Sequence, residues 1–345
     1  MAWERCKRIG FGLICLAGLL LVGGVSYQWI STKLDKNCYP PPGKMVDVGG
    51  YKLHLLVKGT DGPAVVIDTG LGGIGAEWGA IQTEISKFAR AVTYDRAGYG
   101  WSDSSPFPRT SKQIVYELHE LLEKAQIPKP YILVGHSFGG VNIQLYAVTY
   151  PEEVRGLVLV DSGHEQQLEK LPFFPNGEKI SRIFSLYAVN PTLIHWMSVC
   201  GLSRIIAHWD FQDYRSLIPC NDAMANLRLA LTSATKHVDA VNAEGRAIFD
   251  SLQQLKQSDR SRICDKPCIV LQLDHAMKLS RLTFPEEEQT ALHKWEESWK
   301  ALQRDTAAKF HHSQLIVAEK SDHLINWHQP ELIVQSVKIL ADQKL

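Results

Sequence analysis

The sequence has no excess of either charge: 37 Lys and Arg stand against 37 Asp and Glu in 345 residues. A nucleic-acid binder normally carries a basic surplus gathered on one face, so that class is excluded. Charged residues make up only 21% and hydrophobic ones 45%, which excludes a disordered chain. No short repeat spaces the 25 glycines and 16 prolines, and collagen-like and solenoid architectures go with it. The phosphate-cradling pattern G-x-x-x-x-G-K-[ST] is missing. Cysteines number seven; Cys264 and Cys268 have no second Cys or His pair at metal spacing, so zinc is not implied. Five of the seven (Cys38, Cys200, Cys220, Cys264 and Cys268) lie beyond the N-terminal region, an odd number that cannot pair completely within one chain. Free, buried thiols are the plain expectation for most of them. A globular domain with a well-filled core remains.

What the sequence does have is one long apolar run. From Ile9 to Ile30 no side chain is charged, and at about 1.5 Å per helical residue this stretch can cross a hydrocarbon layer of about 30 Å. Arg5, Lys7 and Arg8 precede it against Glu4, and Trp29 sits where an interfacial aromatic belongs. Two readings stay open: a retained single-pass anchor over 1–30, or a signal sequence cleaved near Gly23, Gly24 and Ser26. Length favours the anchor, because a secretory apolar core is usually only about 7–15 residues. Both place the rest of the chain outside the cytoplasm. Residues 31–44, ending in NCYPPPGK, are expected to be a stiff proline-rich stalk.

MVDVGGYKLHLLVKG then predicts a hairpin around Gly49-Gly50. Strands at 64–70, 91–95, 131–135 and 156–161 alternate with helices, one of them amphipathic through Ile114, Val115, Leu118, Leu121, Leu122 and Ala125. This alternation means an α/β fold, a mostly parallel sheet with helices on both faces. It stops at Ser162 and resumes with CIVLQLD at 268–274. The intervening residues 162–263 are expected to be a helical cap rich in apolar side chains, including Phe173, Phe174, Phe184, Tyr187, Trp196, Trp209 and Phe211. The core would then comprise 45–161 and 264–345.

Gly135-His136-Ser137-Phe138-Gly139 follows a predicted strand and opens a predicted helix. In that context G-x-S-x-G has a steric logic: side-chain-free neighbours let strand and helix close around a strained turn from which the serine hydroxyl projects. Ser137 is the candidate nucleophile. His136 lies inside the motif and is poorly placed as its base, which comes from a separate loop.

With GHSFGG, the segments YDRAGYGWSD (94–103), DTGLGG (68–73), GLVLVDSGHE (156–165) and SDHLINWHQPE (321–331) make the chain from about Met45 to Leu340 resemble the α/β-hydrolase superfamily, especially serine-nucleophile bacterial members with a helical cap. The resemblance implies a cap inserted after the sixth strand and the chain order Ser, acid, His. It puts the base at His323 rather than His311, His312 or His328. It puts the oxyanion donors at the N–H groups of Phe138 and, with Thr69 where the family has His and Gly70 aligned, Leu71. For the acid it offers two positions. Asp161 ends the strand after the nucleophile helix; Asp274 lies near the family's more usual place, with Ala276 closer to the expected spacing. Asp161 is preferred, since this acid must be buried and bonded to the histidine. Asp95, Arg96, Gly98, Gly100 and Ser102 are expected to form a structural turn, and Trp78 and Trp101 to belong to the core.

The implied activity is that of a membrane-tethered serine hydrolase that cleaves an ester or related acyl bond of a small apolar substrate. No cofactor or metal is implied, nor any nucleic-acid partner. Peptidase, thioesterase or perhydrolase chemistry on the same residues, and a non-catalytic ligand-binding protein on the same fold, remain as alternatives.

Overall fold

A computed structural model describes residues 2–171, 190–275 and 286–343. Phe173, Phe174, Phe184, Tyr187 and Ala276 fall outside these residues. The chain divides into two compact units: Met1–Pro40 with Val189–Asp239, and Pro41–Ala188 with Ala240–Leu345.

The larger unit is built on an eight-stranded sheet of order β1-β2-β4-β3-β5-β6-β7-β8. The expected hairpin is β1 (Lys44–Asp47) and β2 (Lys52–Lys58), paired antiparallel with Asp47 opposite Lys52. Its turn uses the positive φ of Gly49 and Gly50, and the Asp47 carboxylate accepts both glycine N–H groups. β2 also runs antiparallel to β4 (Arg90–Tyr94). All later pairings are parallel: β3 (Ala64–Asp68), β5 (Tyr131–His136), β6 (Val154–Val160), β7 (Cys268–Leu273) and β8 (Ser313–Ala318).

Continuous burial along β3, β5 and β7 is what a parallel sheet covered on both faces demands. Alternate residues go to opposite layers. Val66, Leu133, Leu157 and Val270 join one cluster with α3 (Ser111–Lys124) and α4 (Phe138–Thr149). Val65, Ile67, Val134, Val158 and Leu271 join the other with α2 (Gly79–Ile85) and α13 (Pro330–Asp342). The predicted stripe of α3 is buried at Ile114, Val115, Leu118, Leu121 and Leu122, each contributing about 1.5–3 kcal/mol. From β3 the chain steps outward to β4 and then returns to place β5 on β3's other side. Such a reversal opens a crevice at the carboxyl ends of the two inner strands.

Between β6 and β7 the described residues are helical: α5 (Gln167–Lys170), α6 (Pro191–Val199), α7 (Leu202–Leu217), α8 (Asp222–Thr232), α9 (Thr235–Arg246) and α10 (Ile248–Lys256). The segment expected as a single cap is therefore shared: part belongs to the smaller unit, while residues from Ala240 onward cluster with the sheet. α11 (Glu286–Ala308) precedes β8, and α12 (Ile325–His328) follows it.

In the smaller unit α1 is one helix, Ala2–Cys38, so helix continues through most of the segment expected as a stalk. Its seam toward α6–α9 is small or polar: Gly24, Gln28, Thr32 and Asp35, close to one helical face. A Cβ on Gly24 would collide with the Cys200 carbonyl, so the two backbones touch there. Gln28 is 5% exposed; its amide donates to the Ser233 carbonyl at 2.9 Å and accepts from Arg204 Nε at 3.0 Å. Arg204 also donates to Asp35 at 2.7 Å. Of the seven cysteines only Cys268 is buried, against the expectation of mostly buried thiols.

Candidate active site

The strand-to-helix junction at Ser137 has φ 53° and ψ −119°, a region side-chain-bearing residues rarely enter, costing on the order of 1–3 kcal/mol. Hydrogen bonds hold it. The Ser137 N–H donates to the Val160 carbonyl at 3.1 Å, and its own carbonyl accepts from Gly140 at 3.0 Å and Gly163 at 2.8 Å. The motif glycines are there because neighbours come too close for a side chain. A Cβ on Gly135 would lie 2.7 Å from the Gly139 carbonyl oxygen, and one on Gly139 would lie 2.5 Å from that of Thr69.

Asp161 directly follows β6, with φ 42°, and is fully buried. Its Oδ2 is 2.6 Å from His323 Nδ1. Its Oδ1 accepts two further bonds, from the Leu273 N–H at 3.1 Å and from the Trp299 indole N–H at 2.9 Å. One oxygen is thereby fixed by the scaffold and the other is aimed at the imidazole. Asp274 is elsewhere: its carboxylate is 47% exposed and 3.6 Å from His275. The competing histidines have other partners, His328 with Asp322 at 3.0 Å and His311 with Asp265 at 2.8 Å.

His136 is drawn into the same cluster by a different route. A carbonyl can only accept, so its Nε2–H donates to the His323 carbonyl at 2.8 Å, which leaves Nδ1 bare. Burial, aided by the neighbouring His323, pushes this ring down to about 3, and it is neutral at physiological pH. The two rings lie 4.7 Å apart.

The loop after β3 is fixed from beneath by Arg96. This guanidinium donates to Asp68 Oδ1 at 2.6 Å, to the Thr69 carbonyl at 2.7 Å and to the Gly70 carbonyl at 2.9 Å. Its remaining donors meet Glu244 of α9, at 3.1 Å and 3.0 Å. The Tyr99 hydroxyl donates to Glu244 at 2.7 Å and accepts from the Gly72 N–H at 3.2 Å. Burial pushes the Asp68 carboxyl up, against Arg96. Burial opposes the charge of Arg96, yet Glu244 and Asp68 hold it well above its ordinary value. With its carbonyls held this way, the strip 69–71 is stiffened beside Ser137: a Cβ on Gly70 would lie 3.3 Å from Ser137 Cβ. Phe138 is the first residue of α4, so its N–H belongs to the unsatisfied set at a helix start.

Asp95 behaves as the expected structural turn. Burial alone would raise its carboxyl, but bonds from His54, Gly75 and Trp101 hold it below the usual range. Trp78 is buried, and Trp101 packs at a tilt against His54, with ring centroids 4.7 Å apart. Reading the sequence singled out neither Trp299 nor Glu244 as site residues. Each comes from a helix far along the chain with no motif around it. The ligand atoms of His164, Glu165 and Asp305 also converge, but Lys309 pairs with both carboxylates and supplies the positive charge itself.

A sequence model of the family described as "alpha/beta hydrolase fold" matches residues 63–187. Among curated proteins the chain is 26% identical over 324 residues to a "Probable transporter efuK" of Hormonema carpetanum, covering 87% of this chain and 42% of that one. It is 24% identical over 289 residues to an "AB hydrolase superfamily protein" of Gibberella zeae, covering 80% and 85%. The solved structure of Cfl2 from Burkholderia cenocepacia superposes with a TM-score of 0.67 at 21% identity, over 86% of this chain and 95% of that one. The chain spans 42%, 51% and 41% of the length of three of the curated relatives it matches.

Proposed function

We propose that this chain, which belongs to the α/β-hydrolase superfamily, is a membrane-tethered serine hydrolase that cleaves an ester or related acyl bond of a small apolar substrate. The observation that carries the proposal is the Asp161–His323 contact at 2.6 Å, made by the residue after Val160, whose carbonyl accepts from the N–H of the strained Ser137. A serine hydroxyl is a weak nucleophile until a base takes its proton. Asp161, saturated on Oδ1, accepts the His323 Nδ1–H on Oδ2 and so keeps Nε2 bare for Ser137.

In this mechanism Ser137 Oγ attacks the substrate carbonyl while His323 Nε2 takes its proton. The oxyanion accepts from the N–H groups of Phe138 and Leu71. Such donors are each worth about 10²–10³ in rate, and the Arg96–Glu244 pair supports them by fixing the strip that carries Leu71. Collapse expels the alcohol with the proton from His323, leaving an acyl-Ser137. Water, deprotonated by the same ring, then releases the acid. Asp161 keeps its bond to Nδ1 throughout and stabilises the imidazolium.

The tether is α1. Its most apolar stretch has a mean hydropathy of 2.3 with none of its residues buried in the protein. The contacts of Gln28 with Arg204 and Ser233 favour retention of this helix over its removal as a signal. The positive flank at Arg5, Lys7 and Arg8 directs the hydrolase unit away from the cytoplasm.

Labelling with a fluorophosphonate tests the enzyme reading. Wild type should label and Ser137→Ala should not. Labelling that persists in that variant, or none in wild type, would leave a ligand-binding protein on this fold as the better account. Protease added outside intact cells should reach the hydrolase unit; protection until lysis would reverse the topology.

A further inference from the structure

α6 and α7 form a hairpin within the smaller unit whose outer side is strongly apolar. On α7 the exposed side chains Leu202, Ile205, Ile206 and Trp209 recur at i, i+3, i+4 and i+7, a single stripe. Leu193 and Trp196 continue it on α6, and Trp209 is 76% exposed. None of the six is charged. Arg204, on the other side of α7, is buried against Gln28 and Asp35 of α1. A stripe of this kind facing water would be a liability, so something covers it.

The place where the hairpin meets α1 identifies the cover. The turn between α6 and α7 lies against α1 at Gly24 and Tyr27: Gly24 faces the Cys200 carbonyl, and a Cβ on Gly201 would lie 2.8 Å from the Tyr27 ring. Both contacts fall inside the charge-free run, which ends at Ile30. Six residues of helix separate Gly24 from that end, about 9 Å. Trp29 and Lys33, with the ammonium 5.1 Å from the ring centroid, mark the polar boundary on the same helix. Whatever surrounds α1 at the level of Gly24 therefore also surrounds the tip of the hairpin.

We propose that the α6–α7 hairpin is a second membrane-contacting element, embedded with its Leu193–Trp209 stripe in the interfacial layer of the phospholipid bilayer that α1 crosses. The depth agrees with an amphipathic element lying about 5–10 Å into the headgroup–acyl boundary. The seam agrees as well. Gly24 permits close backbone approach, as small residues do between helices in lipid, and the amide of Gln28 is satisfied within the protein. α1 then serves as one wall of a lipid-facing unit as well as a tether. The inference rests on the membrane reading of α1 given above.

Full-length protein reconstituted into phosphatidylcholine vesicles containing a diazirine-bearing phospholipid tests it. After irradiation and digestion, adducts are expected on peptides covering 193–209 as well as on those covering 9–30. Ile206→Glu with Trp209→Glu changes only exposed side chains; it should lower labelling of the hairpin peptides by roughly tenfold while α1 labelling and the melting curve stay as in wild type. Adducts confined to α1 would overturn the hairpin proposal and leave the anchor standing. Adducts on neither, with the chain released by alkaline carbonate, would overturn the anchor and the hairpin together.

Discussion

The indole N–H of Trp299 and Oδ1 of Asp161 lie 2.9 Å apart and give the carboxylate a second fixed bond besides the one from the Leu273 N–H. Trp299 is itself stacked on Trp295 at 5.3 Å and meets the His323 ring edge-on at 6.0 Å. One tryptophan thus orients the acid and walls the base. Replacing it by phenylalanine keeps the ring and removes the donor. The expected loss is about 1–2 kcal/mol of transition-state stabilisation, roughly tenfold in kcat with KM little changed. Steady-state kinetics on a neutral ester, beside wild type, measures it.

Asp161→Asn should lose on the order of 10⁴ in kcat with the fold intact, because the amide stabilises the wrong imidazole tautomer. Asp274→Asn should lose little, its carboxylate being half exposed and paired loosely with His275. Kinetics and melting curves on both variants check this. The reverse ranking would transfer the acid to Asp274.

Glu244→Ala removes a partner from a guanidinium that is 1% exposed. Asp68 still pairs with that guanidinium, but Arg96 Nε–H and the Tyr99 hydroxyl lose their buried acceptor, at about 1–3 kcal/mol each, so a large fall in Tm is expected. Glu244→Gln, which can still accept from Tyr99, should be milder. If the strip carrying Leu71 is held through Arg96, residual activity of the alanine variant measured well below its Tm should also fall.

His136 predicts the sign of a pH effect. Its folded value is depressed to about 3, and in the unfolded chain the ring titrates near 6.5. Between these values the unfolded chain binds a proton that the folded chain does not. Stability should therefore fall as pH drops from about 6.5 toward 3, with a slope of up to about 1.4 kcal/mol per pH unit from this ring, and nothing from it above that window. His164, lowered by burial despite its acidic neighbours, adds in the same direction. Denaturant unfolding at several pH values should show a shallower slope for His136→Asn.

Medium-chain neutral esters should turn over faster than short charged ones, as expected of an apolar, water-excluding cap. Comparing kcat/KM across such a series measures it, and equal turnover of the charged set would count against that reading.

The fold was legible because the inner strands are short apolar runs and helices such as α3 carry a 3.6-residue stripe, patterns that burial in one sheet and two layers enforces. Ser137 was legible for a related reason: two glycines must flank it, and their absent side chains are visible in the sequence. The partner of His323 was harder. Which carboxylate reaches the ring depends on the direction of the chain after β6, where Asp161 takes a positive φ, and on a tryptophan 138 residues further on. Neither leaves a spacing to read. The seam of α1 was hidden in another way: Gly24 reads as a small residue near a cleavage site, and the Cys200 carbonyl it lies against is 176 residues away with no motif to mark it.

The bond between Gln28 and Ser233 joins residues 205 positions apart. At about 5–20 residues per second, synthesis separates their emergence by about 10–40 s. During that interval α1 has no Arg204 and no Ser233 to meet, and the amide of Gln28 must find water or another chain. The strands β1 to β6 are all made within the same interval. Residues 2–38 therefore wait for their partners and become part of a folded unit late, so variants along the seam should delay assembly of that unit before they alter the sheet.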